Sequence, residues 1–347
     1  MIKNPLRTGI AGFGAVGKIR FDILSKKNGL EIVSISDQNI ESTLAQSANI
    51  KTYSEFEEMI SKESLDVIFI ALPNYLAAEA TILALNKGIH VFCEKPPARN
   101  PREFEKVIEV ALKKPELKLM YGFNHRYHPS VKKAMTLINS GDLGEILNMR
   151  GEYGKSAIIK FNQNEWRANR EYSGGGILLD QGIHLLDLMR YFGEDFNTVQ
   201  SIVKNSYWNY DVEDNAYALM QSDSGIVGLF HSSATLWRHS FRLEIGLTKG
   251  SILLSGILSS TKSYGNETLK LTKVNPDKMG EPEETTYSFL EDTSWSEETL
   301  LFIDTVASGK EIKSGDYEEA RKTLALVYKI YGSDETWNKK YEIQKDL

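Results

Sequence analysis

The sequence predicts an α/β protein in which a doubly wound parallel sheet is followed by an α+β domain with an open-faced, mostly antiparallel sheet. Two observations predict this class. In the first third of the chain, short apolar runs alternate with amphipathic stretches, as in strand–helix–strand units. Beyond about residue 123, strand-like segments of alternating polarity follow one another closely. We therefore expect two domains, over residues 1–123 and 124–347.

The predicted strands of the first domain are continuous apolar runs, which are typical of a sheet covered by helices on both faces. They are Leu6–Ala11, Glu31–Ser36, Val67–Leu72, His90–Cys93 and Leu117–Tyr121. Ser54-Glu55-Phe56-Glu57 has the form of a capping box, so a helix is expected to begin at Glu55. Asn100-Pro101 places a capping side chain before a proline, and predicts a helix that reaches about Lys113.

The second domain is predicted to open with a helix over Pro129–Ser140 and to continue as a sheet. Its expected strands are Glu145–Tyr153, Val199–Tyr207, Asn215–Ser222, Ile226–Ala234, Phe241–Thr248, Ser251–Ser255, Leu269–Val274 and Thr285–Phe289. A helix near Ile177–Phe192 interrupts this sheet. Helices near Ser294–Ser308 and Asp316–Tyr331 complete the domain.

Composition narrows the class of protein without assigning chemistry. The 347 residues are 41% hydrophobic and 25% charged with a net charge of −6, which argues against a fibrous chain, nucleic-acid binding and adhesion to anionic membranes. The longest apolar run, Val67–Leu72, is too short to span a bilayer, and Met1–Gly12 lacks a signal pattern. We expect a cytoplasmic protein. The single cysteine, Cys93, excludes an intrachain disulfide, and its position beside Glu94 predicts that alkylation affects activity.

A glycine-rich loop follows the first predicted strand and opens an amphipathic helix. It consists of Gly12, Phe13, Gly14, Ala15, Val16 and Gly17. Such glycines permit a tight turn, approach to a pyrophosphate and close helix–strand packing, while the helix N-terminus attracts phosphate. Asp37 ends the second strand, where a carboxylate accepts from ribose hydroxyls and repels a 2′-phosphate. The pattern predicts NAD, with NADP as the alternative cofactor. The alternative structure is a purely conformational glycine turn with a helix-capping Asp37.

A charged pair, Glu94-Lys95, lies at the carboxyl end of a predicted buried strand and precedes two prolines. Ligands bind at that edge of an open α/β sheet, and a lysine there stabilises a substrate oxygen as it becomes a ketone or an alkoxide. On its own, however, the pair is better explained as a solvated ion pair before a proline turn.

Three polar residues stand on the predicted apolar helix Ile177–Phe192. Asp180, His184 and Asp187 are spaced i, i+4 and i+7, so they share one face, and Gly174–Gly176 before them lets the backbone pass close to a bound ring. A histidine held by a carboxylate suits the proton transfer of an alcohol oxidation. A satisfied core histidine with two paired acids is an equal interpretation of these residues alone, and a metal site is a weaker one. We expect Asp187 to brace the helix.

Four segments together resemble the GFO/IDH/MocA family, whose name combines glucose–fructose oxidoreductase, inositol dehydrogenase and a rhizopine-catabolism protein. The segments are the glycine loop, Leu72-Pro73-Asn74, Glu94-Lys95-Pro96, and Gly174-Gly175-Gly176 with Asp180, His184 and Asp187. The resemblance implies a Rossmann domain whose cofactor site includes Pro73, Asn74, Glu94, Lys95 and Asn124. It also implies Lys95, Asp180 and His184 at the site of hydride transfer. Many relatives carry a histidine where this chain has Leu76.

Substrate contacts are predicted from residue type and from the resemblance, which implies a sugar, cyclitol or sugar nucleotide. Besides Lys95, Asp180 and His184, the candidates are Arg126, Tyr153, Trp166 and Arg167. A tryptophan offers an apolar face to a sugar and an arginine a fork for hydroxyls or anions, although ordinary packing explains each of them equally well. Apolar residues in Gly225–Phe230 and Ser251–Ile257 predict association through the open sheet into a homodimer or homotetramer.

The leading hypothesis is an NAD-dependent sugar or cyclitol dehydrogenase. A sensor that kept the fold and lost turnover is the alternative, and it gives no reason to retain Lys95, Asp180 and His184 together. Imine or biliverdin-type reduction on the same fold needs no alcohol base, and so explains His184 less well.

Overall fold

The computed structural model describes residues 5–39, 50–156, 166–259, 262–275 and 280–343. The chain forms two compact units. The first combines the chain up to Phe123 with Glu171–Gly174 and Trp295–Arg321, and the second contains Asn124–Arg170, Gly175–Ser294 and the chain from Lys322 onward. The predicted boundary assigned residues 171–174 and 295–321 to the second domain. Among the described residues, no helix is both long and apolar enough to cross a membrane.

The first unit contains a parallel sheet with the strand order β3-β2-β1-β4-β5-β6. The strands are β1 (Leu6–Ala11), β2 (Leu30–Ser36), β3 (Lys51–Tyr53), β4 (Val67–Ile70), β5 (His90–Glu94) and β6 (Leu119–Gly122). Its helices in the same stretch are α1 (Ala15–Leu24), α2 (Phe56–Lys62), α3 (Asn74–Asn86) and α4 (Pro101–Leu112). All four residues of β4 are buried, as the continuous apolar run predicts for a central strand. The predicted doubly wound sheet is confirmed, and β3 is an addition to it.

Two helix starts test the capping predictions. Asn100 accepts a hydrogen bond from the backbone N–H of Glu103 at 2.9 Å and caps α4, which confirms that prediction. The capping box at Ser54 is wrong. Glu55 has an extended backbone and is itself the flanking residue of α2, so the helix begins one residue later and has no side-chain cap.

The segment from Trp295 joins the first unit through its core. It contains most of α7 (Ser294–Ser308), whose Phe302 ring lies 5.7 Å from the ring of Phe69 on β4 and 5.5 Å from that of Phe92 on β5. Farther on, the Gly315 carbonyl accepts a hydrogen bond from the N–H of Tyr121 at 2.7 Å. Nothing in the local sequence of α7 identifies the sheet against which its apolar face packs.

The second unit contains a sheet with the order β14-β13-β12-β11-β7-β10-β9-β8, antiparallel except where β7 pairs with β10. Its strands are β7 (Ile146–Ser156), β8 (Phe196–Lys204), β9 (Asn215–Ser222), β10 (Val227–Leu236), β11 (Ser240–Leu247), β12 (Gly250–Ser255), β13 (Glu267–Lys273) and β14 (Glu283–Phe289). Its helices are α5 (Pro129–Asn139), α6 (Ile183–Phe192), most of α8 (Tyr317–Ser333) and α9 (Glu335–Tyr341). The predicted mostly antiparallel sheet is confirmed, and α9 was not anticipated.

The predicted helix over Ile177–Phe192 is divided into two parts. Leu178–Gly182 forms a wider π-helical turn, and α6 follows from Ile183. The start of this run is held by Glu213, whose carboxylate accepts from the backbone N–H of Gly176 at 2.8 Å and of Leu178 at 2.9 Å. Because Leu178–Gly182 is π-helical, the α-helical spacing assumed for Asp180 and His184 does not hold across it. Turns of this kind are frequent at functional sites.

Candidate active site

The glycine loop has the shape that a dinucleotide-binding turn requires. Gly12 has φ +89°, and a Cβ there would lie 2.4 Å from the Ala71 carbonyl oxygen, while a Cβ on Gly17 would lie 2.0 Å from the Gly12 carbonyl oxygen. Neither position tolerates a side chain. Around Gly14, by contrast, no heavy atom lies within 4 Å of the Cβ position. Gly14 thus leaves open backbone beside Ala15 and Val16 at the start of α1, where a phosphate can approach.

Asp37 follows β2 and lies against the same loop. Its Oδ2 accepts from the N–H of Phe13 at 2.7 Å and its Oδ1 from the N–H of Asn39 at 2.9 Å. The carboxylate therefore caps no described helix. Each of its oxygens has a further lone pair for a ribose hydroxyl.

The Glu94-Lys95 pair lies at the end of β5, and the Glu94 side chain is only 13% exposed. Its carboxylate accepts from Arg20 Nε at 2.8 Å and forms an ion pair with Arg20 Nη2 at 2.7 Å. Arg20 is buried, also pairs with Glu298 at 2.7 Å, and lies over the rings of Phe92 and Trp295. These contacts hold Glu94 in place at the end of β5. The next residue, Lys95, is partly exposed.

Pro73 and Asn74 lie at the start of α3. Pro73 is the residue flanking the helix, and the Asn74 amide donates to the Ser173 carbonyl at 2.7 Å. The ring of Tyr75 lies 5.1 Å from that of Tyr172. These contacts attach Glu171–Gly174 to the rest of the first unit. Asn74 was predicted to contact the cofactor, and its amide nitrogen has a partner within the protein.

In the second unit, His184 on α6 is stacked on His125. The two ring centroids are 3.8 Å apart and the planes are inclined by 12°. His125 belongs to a 3₁₀ turn, Asn124–Tyr127, and its ring is also hydrogen-bonded to Asn124 Oδ1 and to the hydroxyl of Tyr153, each at 3.1 Å. Sequence reasoning missed His125, although it lies in the polar run after the last predicted strand of the first domain.

Asp180 forms an ion pair with Lys155, Nζ to Oδ2 3.0 Å, and both side chains are partly exposed. The next residue, Gln181, is hydrogen-bonded to the hydroxyl of Tyr264 at 2.8 Å. Lys155 was also missed, because the predicted strand ended at Tyr153 whereas β7 continues to Ser156. Two-residue alternation from Tyr153 would have placed Lys155 on the same face of the sheet.

Arg126 does not fit its predicted role as a substrate contact. It is 3% exposed, and its guanidinium forms two hydrogen bonds to Asp187, Nε to Oδ2 2.7 Å and Nη2 to Oδ1 2.6 Å. Thr323 adds a hydrogen bond to Asp187 at 3.1 Å. The Arg126 guanidinium is therefore already paired within the second unit, and Asp187 holds α6 in place.

The glycine triplet is required by packing within each unit. A Cβ on Gly174 would lie 2.2 Å from the Arg99 carbonyl oxygen in the first unit. In the second unit, a Cβ on Gly175 would lie 2.2 Å from the Tyr331 hydroxyl, and one on Gly176 2.0 Å from the Glu213 carbonyl oxygen. In the direction of a Cβ the space beside all three is filled by protein, so packing by itself requires glycine here, and the approach of a bound ring to this backbone stays a prediction.

The remaining residues of the second unit that were predicted to contact cofactor or substrate differ in their burial. Asn124 and Tyr153 are buried, and Asn124 Nδ2 also donates to Ser294 Oγ at 3.2 Å. Trp166 and Arg167 lie in a 3₁₀ turn, with the guanidinium of Arg167 over the Trp166 ring at 4.2 Å and Arg167 exposed. Asn124 and Tyr153 therefore join the His125 cluster, and Trp166 and Arg167 keep the exposure that a substrate contact needs.

Comparison with known proteins identifies the family. Residues 6–123 match the model of the oxidoreductase family with an NAD-binding Rossmann fold, and residues 131–253 match the GFO/IDH/MocA C-terminal domain. The chain belongs to the GFO/IDH/MocA family. It is accordingly an NAD-binding oxidoreductase, as the glycine loop and Asp37 predict.

Individual relatives cover most of the chain. D-glucoside 3-dehydrogenase of Escherichia coli K12 is 27% identical over 360 residues, with 97% of each protein covered. Inositol 2-dehydrogenase of Salmonella typhimurium LT2 is 27% identical over 230 residues, 64% of this chain and 65% of the relative. The solved structure of levoglucosan dehydrogenase in complex with NADH and levoglucosan has the same fold, with a TM-score of 0.84, 22% identity, and 96% and 98% of the two chains covered.

Proposed function

We propose that this oxidoreductase is an NAD-dependent dehydrogenase that transfers a hydride between the cofactor and a hydroxyl or keto carbon of a sugar, cyclitol or sugar nucleotide. The observation that carries the proposal is His184, a proton acceptor stacked on a second imidazole one turn from the Asp180–Lys155 pair. The names of relatives that act on glucosides, levoglucosan and inositol support the substrate class.

The first unit has the features that NAD requires. The N–H groups at the start of α1 beside Gly14 would hold the pyrophosphate, and the Asp37 carboxylate would accept from the adenosine ribose. We keep three further residues in the cofactor site: Asn74, Glu94 and Asn124. Glu94 contributes by keeping the end of β5 in place. When bound, NAD supplies the hydride acceptor for oxidation of the alcohol or the hydride donor for reduction of the ketone.

The chemistry assigned to the chain's own residues is proton transfer and charge stabilisation. During oxidation His184 accepts the hydroxyl proton, and Lys95 donates a hydrogen bond to the oxygen as it becomes a carbonyl. Asp180, with its charge balanced by Lys155, orients the substrate hydroxyl towards the base. Trp166 and Arg167 contact the rest of the sugar. Reduction reverses each step, so His184 then returns the proton.

The test is NADH formation, followed by near-ultraviolet absorbance, across a panel of sugars, inositols and sugar nucleotides. His184→Ala and Lys95→Ala should each lower kcat by about 10²-fold or more, the scale of a lost general base, while NADH still binds. Glu284→Gln, on the edge strand β14, is the matched control and should turn over normally. If both active-site variants retain normal turnover, the assignment fails. If the native protein binds NAD firmly but oxidises nothing, the sensor hypothesis replaces the enzyme.

The exposed face of the second-unit sheet supports a homo-oligomer. On β8–β10 it presents Ile202, Tyr217, Leu219 and Leu229, each 43–55% exposed. The neighbouring strands place Arg150 and Glu152 beside Glu244 and Arg242, so the face has an apolar half and a half of alternating charge. Such a surface is complementary to a second copy of itself. Both predicted segments contribute. In Ser251–Ile257, Ile252, Leu254 and Ile257 are buried, whereas Leu253, opposite Glu244, is partly exposed on this face. We place this oligomer in the cytoplasm, where NAD turnover would occur.

A further inference from the structure

The helical run that carries Asp180 and His184 is not capped by its own flanking residue. The π-helical turn Leu178–Gly182 continues directly into α6, and Ile177 before it supplies no side-chain cap. The first N–H groups of a buried helical run need an acceptor from elsewhere in the protein. Here that acceptor is Glu213, in the segment between β8 and β9.

Glu213 is 2% exposed, and its carboxylate is surrounded by donors. It accepts from the N–H of Gly176 at 2.8 Å, from the N–H of Leu178 at 2.9 Å and from the hydroxyl of Tyr331 at 2.7 Å. The Glu213 carbonyl also accepts from the N–H of Ile177 at 3.2 Å. A single residue distant in sequence therefore binds three consecutive N–H groups and fixes the start of the run.

The other end of the π-helical turn is held separately. A Cβ on Gly182 would lie 2.9 Å from the Phe230 ring and 3.0 Å from Ser232, so the backbone of the turn lies directly on β10. Beyond the turn, α6 is tied through Asp187 to Arg126. Between these fixed ends the chain forms i→i+5 hydrogen bonds, which take up one more residue than those of an α-helix.

Two side chains of the turn reach other elements from this fixed backbone. Asp180 Oδ2 lies 3.0 Å from Lys155 Nζ at the end of β7, and Gln181 Nε2 donates to the Tyr264 hydroxyl at 2.8 Å. Both contacts depend on where the backbone of the turn begins, because a shift of its start would carry Asp180 away from Lys155.

We infer that Glu213 is a positioning residue, which sets Asp180 against Lys155 by fixing the start of the π-helical turn. The inference rests on the proposed function, in which Asp180 orients the substrate hydroxyl. Loss of the Glu213 acceptor should therefore lower turnover and leave the affinity for NADH unchanged, since the dinucleotide loop belongs to the first unit.

Glu213→Leu and Glu213→Gln test the inference in the full-length protein. Glu213→Leu removes the acceptor and should lower kcat for alcohol oxidation by about tenfold or more, as expected for a small misplacement of a substrate-orienting group. In Glu213→Gln the amide oxygen keeps the contacts with Leu178 and Tyr331, but the amide nitrogen faces the N–H of Gly176, so kcat should fall by less. Fluorescence titration should give the native Kd for NADH in both variants. A native kcat in either variant overturns the inference.

Asp334→Leu is the matched control for a merely structural loss. Asp334 is also a buried carboxylate that accepts from backbone N–H groups of two elements, those of Val203 and Trp337, each at 2.8 Å. Its replacement should lower the midpoint of urea unfolding and leave kcat unchanged at a temperature at which the variants are folded. A fall in kcat equal to that of Glu213→Leu would reduce Glu213 to a structural role and overturn the inference.

Amide hydrogen exchange separates this inference from the proposed function. Exchange of the N–H groups of residues 176–178 should accelerate in both Glu213 variants, and more than in Asp334→Leu. If it does so while the native protein oxidises nothing in the substrate panel, the hold of Glu213 on the turn stands and the proposed function fails. Native exchange rates at these N–H groups in both variants overturn the inference.

Discussion

Arg126 and Asp187 form a buried ion pair with two hydrogen bonds, of 2.7 and 2.6 Å. Arg126 lies on the 3₁₀ turn that carries His125, and Asp187 lies on α6, which carries His184. The pair therefore ties together the two elements whose imidazoles are stacked. A substrate contact was predicted for Arg126, whereas the structure shows its guanidinium paired with Asp187 inside the second unit.

Replacing either partner of this ion pair should lower the stability of the protein. Asp187→Asn leaves a buried guanidinium without its counter-charge, and Arg126→Met leaves a buried carboxylate, so each should lower the free energy of unfolding by about 3–5 kcal/mol. Urea denaturation measures the loss. The control is Arg321→Met, because the Arg321–Glu105 pair is half exposed and should contribute less than about 1 kcal/mol. A loss no larger than that of the control in both buried variants would contradict the structural role.

Asp37 should determine the choice of cofactor. Asp37→Ser removes the acceptor for the ribose hydroxyls and the charge that repels a 2′-phosphate. We expect NADH to bind about tenfold more weakly, equivalent to about 1.4 kcal/mol, and NADPH to bind more tightly. Fluorescence titration with both cofactors measures the ratio. Asn39→Ala keeps the backbone N–H that contacts Asp37 and should change neither affinity. An unchanged NADH-to-NADPH ratio in Asp37→Ser would show that another residue discriminates.

The His128–Glu267 pair predicts a pH dependence of stability. Burial opposes ionisation of Glu267, but hydrogen bonds from His128 and the Ser130 N–H outweigh it, and the pKa of Glu267 is lowered. A carboxyl whose folded pKa is depressed stabilises the protein above its unfolded pKa, and loses that contribution as the pH falls through the folded value. The difference in unfolding free energy between the native protein and Glu267→Gln should be present at about pH 5 and shrink below about pH 4. A difference that grows between about pH 5 and pH 3 would refute this.

Cys93 should be unreactive in the folded protein, contrary to the expectation from its place beside Glu94. It is fully buried on β5, and burial raises the pKa of its thiol to about 12. Because the thiolate is the nucleophile, labelling by a maleimide at about pH 7 should be slower than for an ordinary thiol by several powers of ten. Mass spectrometry of the native and urea-unfolded protein measures the two rates. Rapid labelling of the native protein, with loss of activity, would restore the original expectation.

The apolar half of the open sheet face should be the contact between copies. Leu229→Glu places a carboxylate in the centre of that half, where a second copy would bury it, and should convert the oligomer to monomers. Light scattering coupled to size exclusion gives the mass. Leu112→Glu, an exposed leucine at the end of α4, is the control and should leave the mass unchanged. A native protein that is already monomeric would rule out this surface as an interface.

Predictions from sequence succeeded where the determining contacts are local. The Asn100 cap and the strand β1 depend on residues within a few positions, and both were predicted to the residue. The capping box failed by one residue, since Ser54 and Glu55 are both able to flank a helix. The site residues that were missed, His125 and Lys155, acquire meaning only through partners on other elements.

The sequence by itself determined the family, the two sheets and the dinucleotide loop. Glycines that admit no Cβ, continuous apolar strands and strands of alternating polarity are each encoded residue by residue. Only the tertiary structure decided that Trp295–Arg321 packs with the first unit and that Glu298 helps Arg20 to hold Glu94. It also decided that Arg126 is buried and that His125 is stacked on His184. The physical reason is the same in each case. Desolvation and pairing depend on which distant segments come together, and residue type alone does not specify the partner.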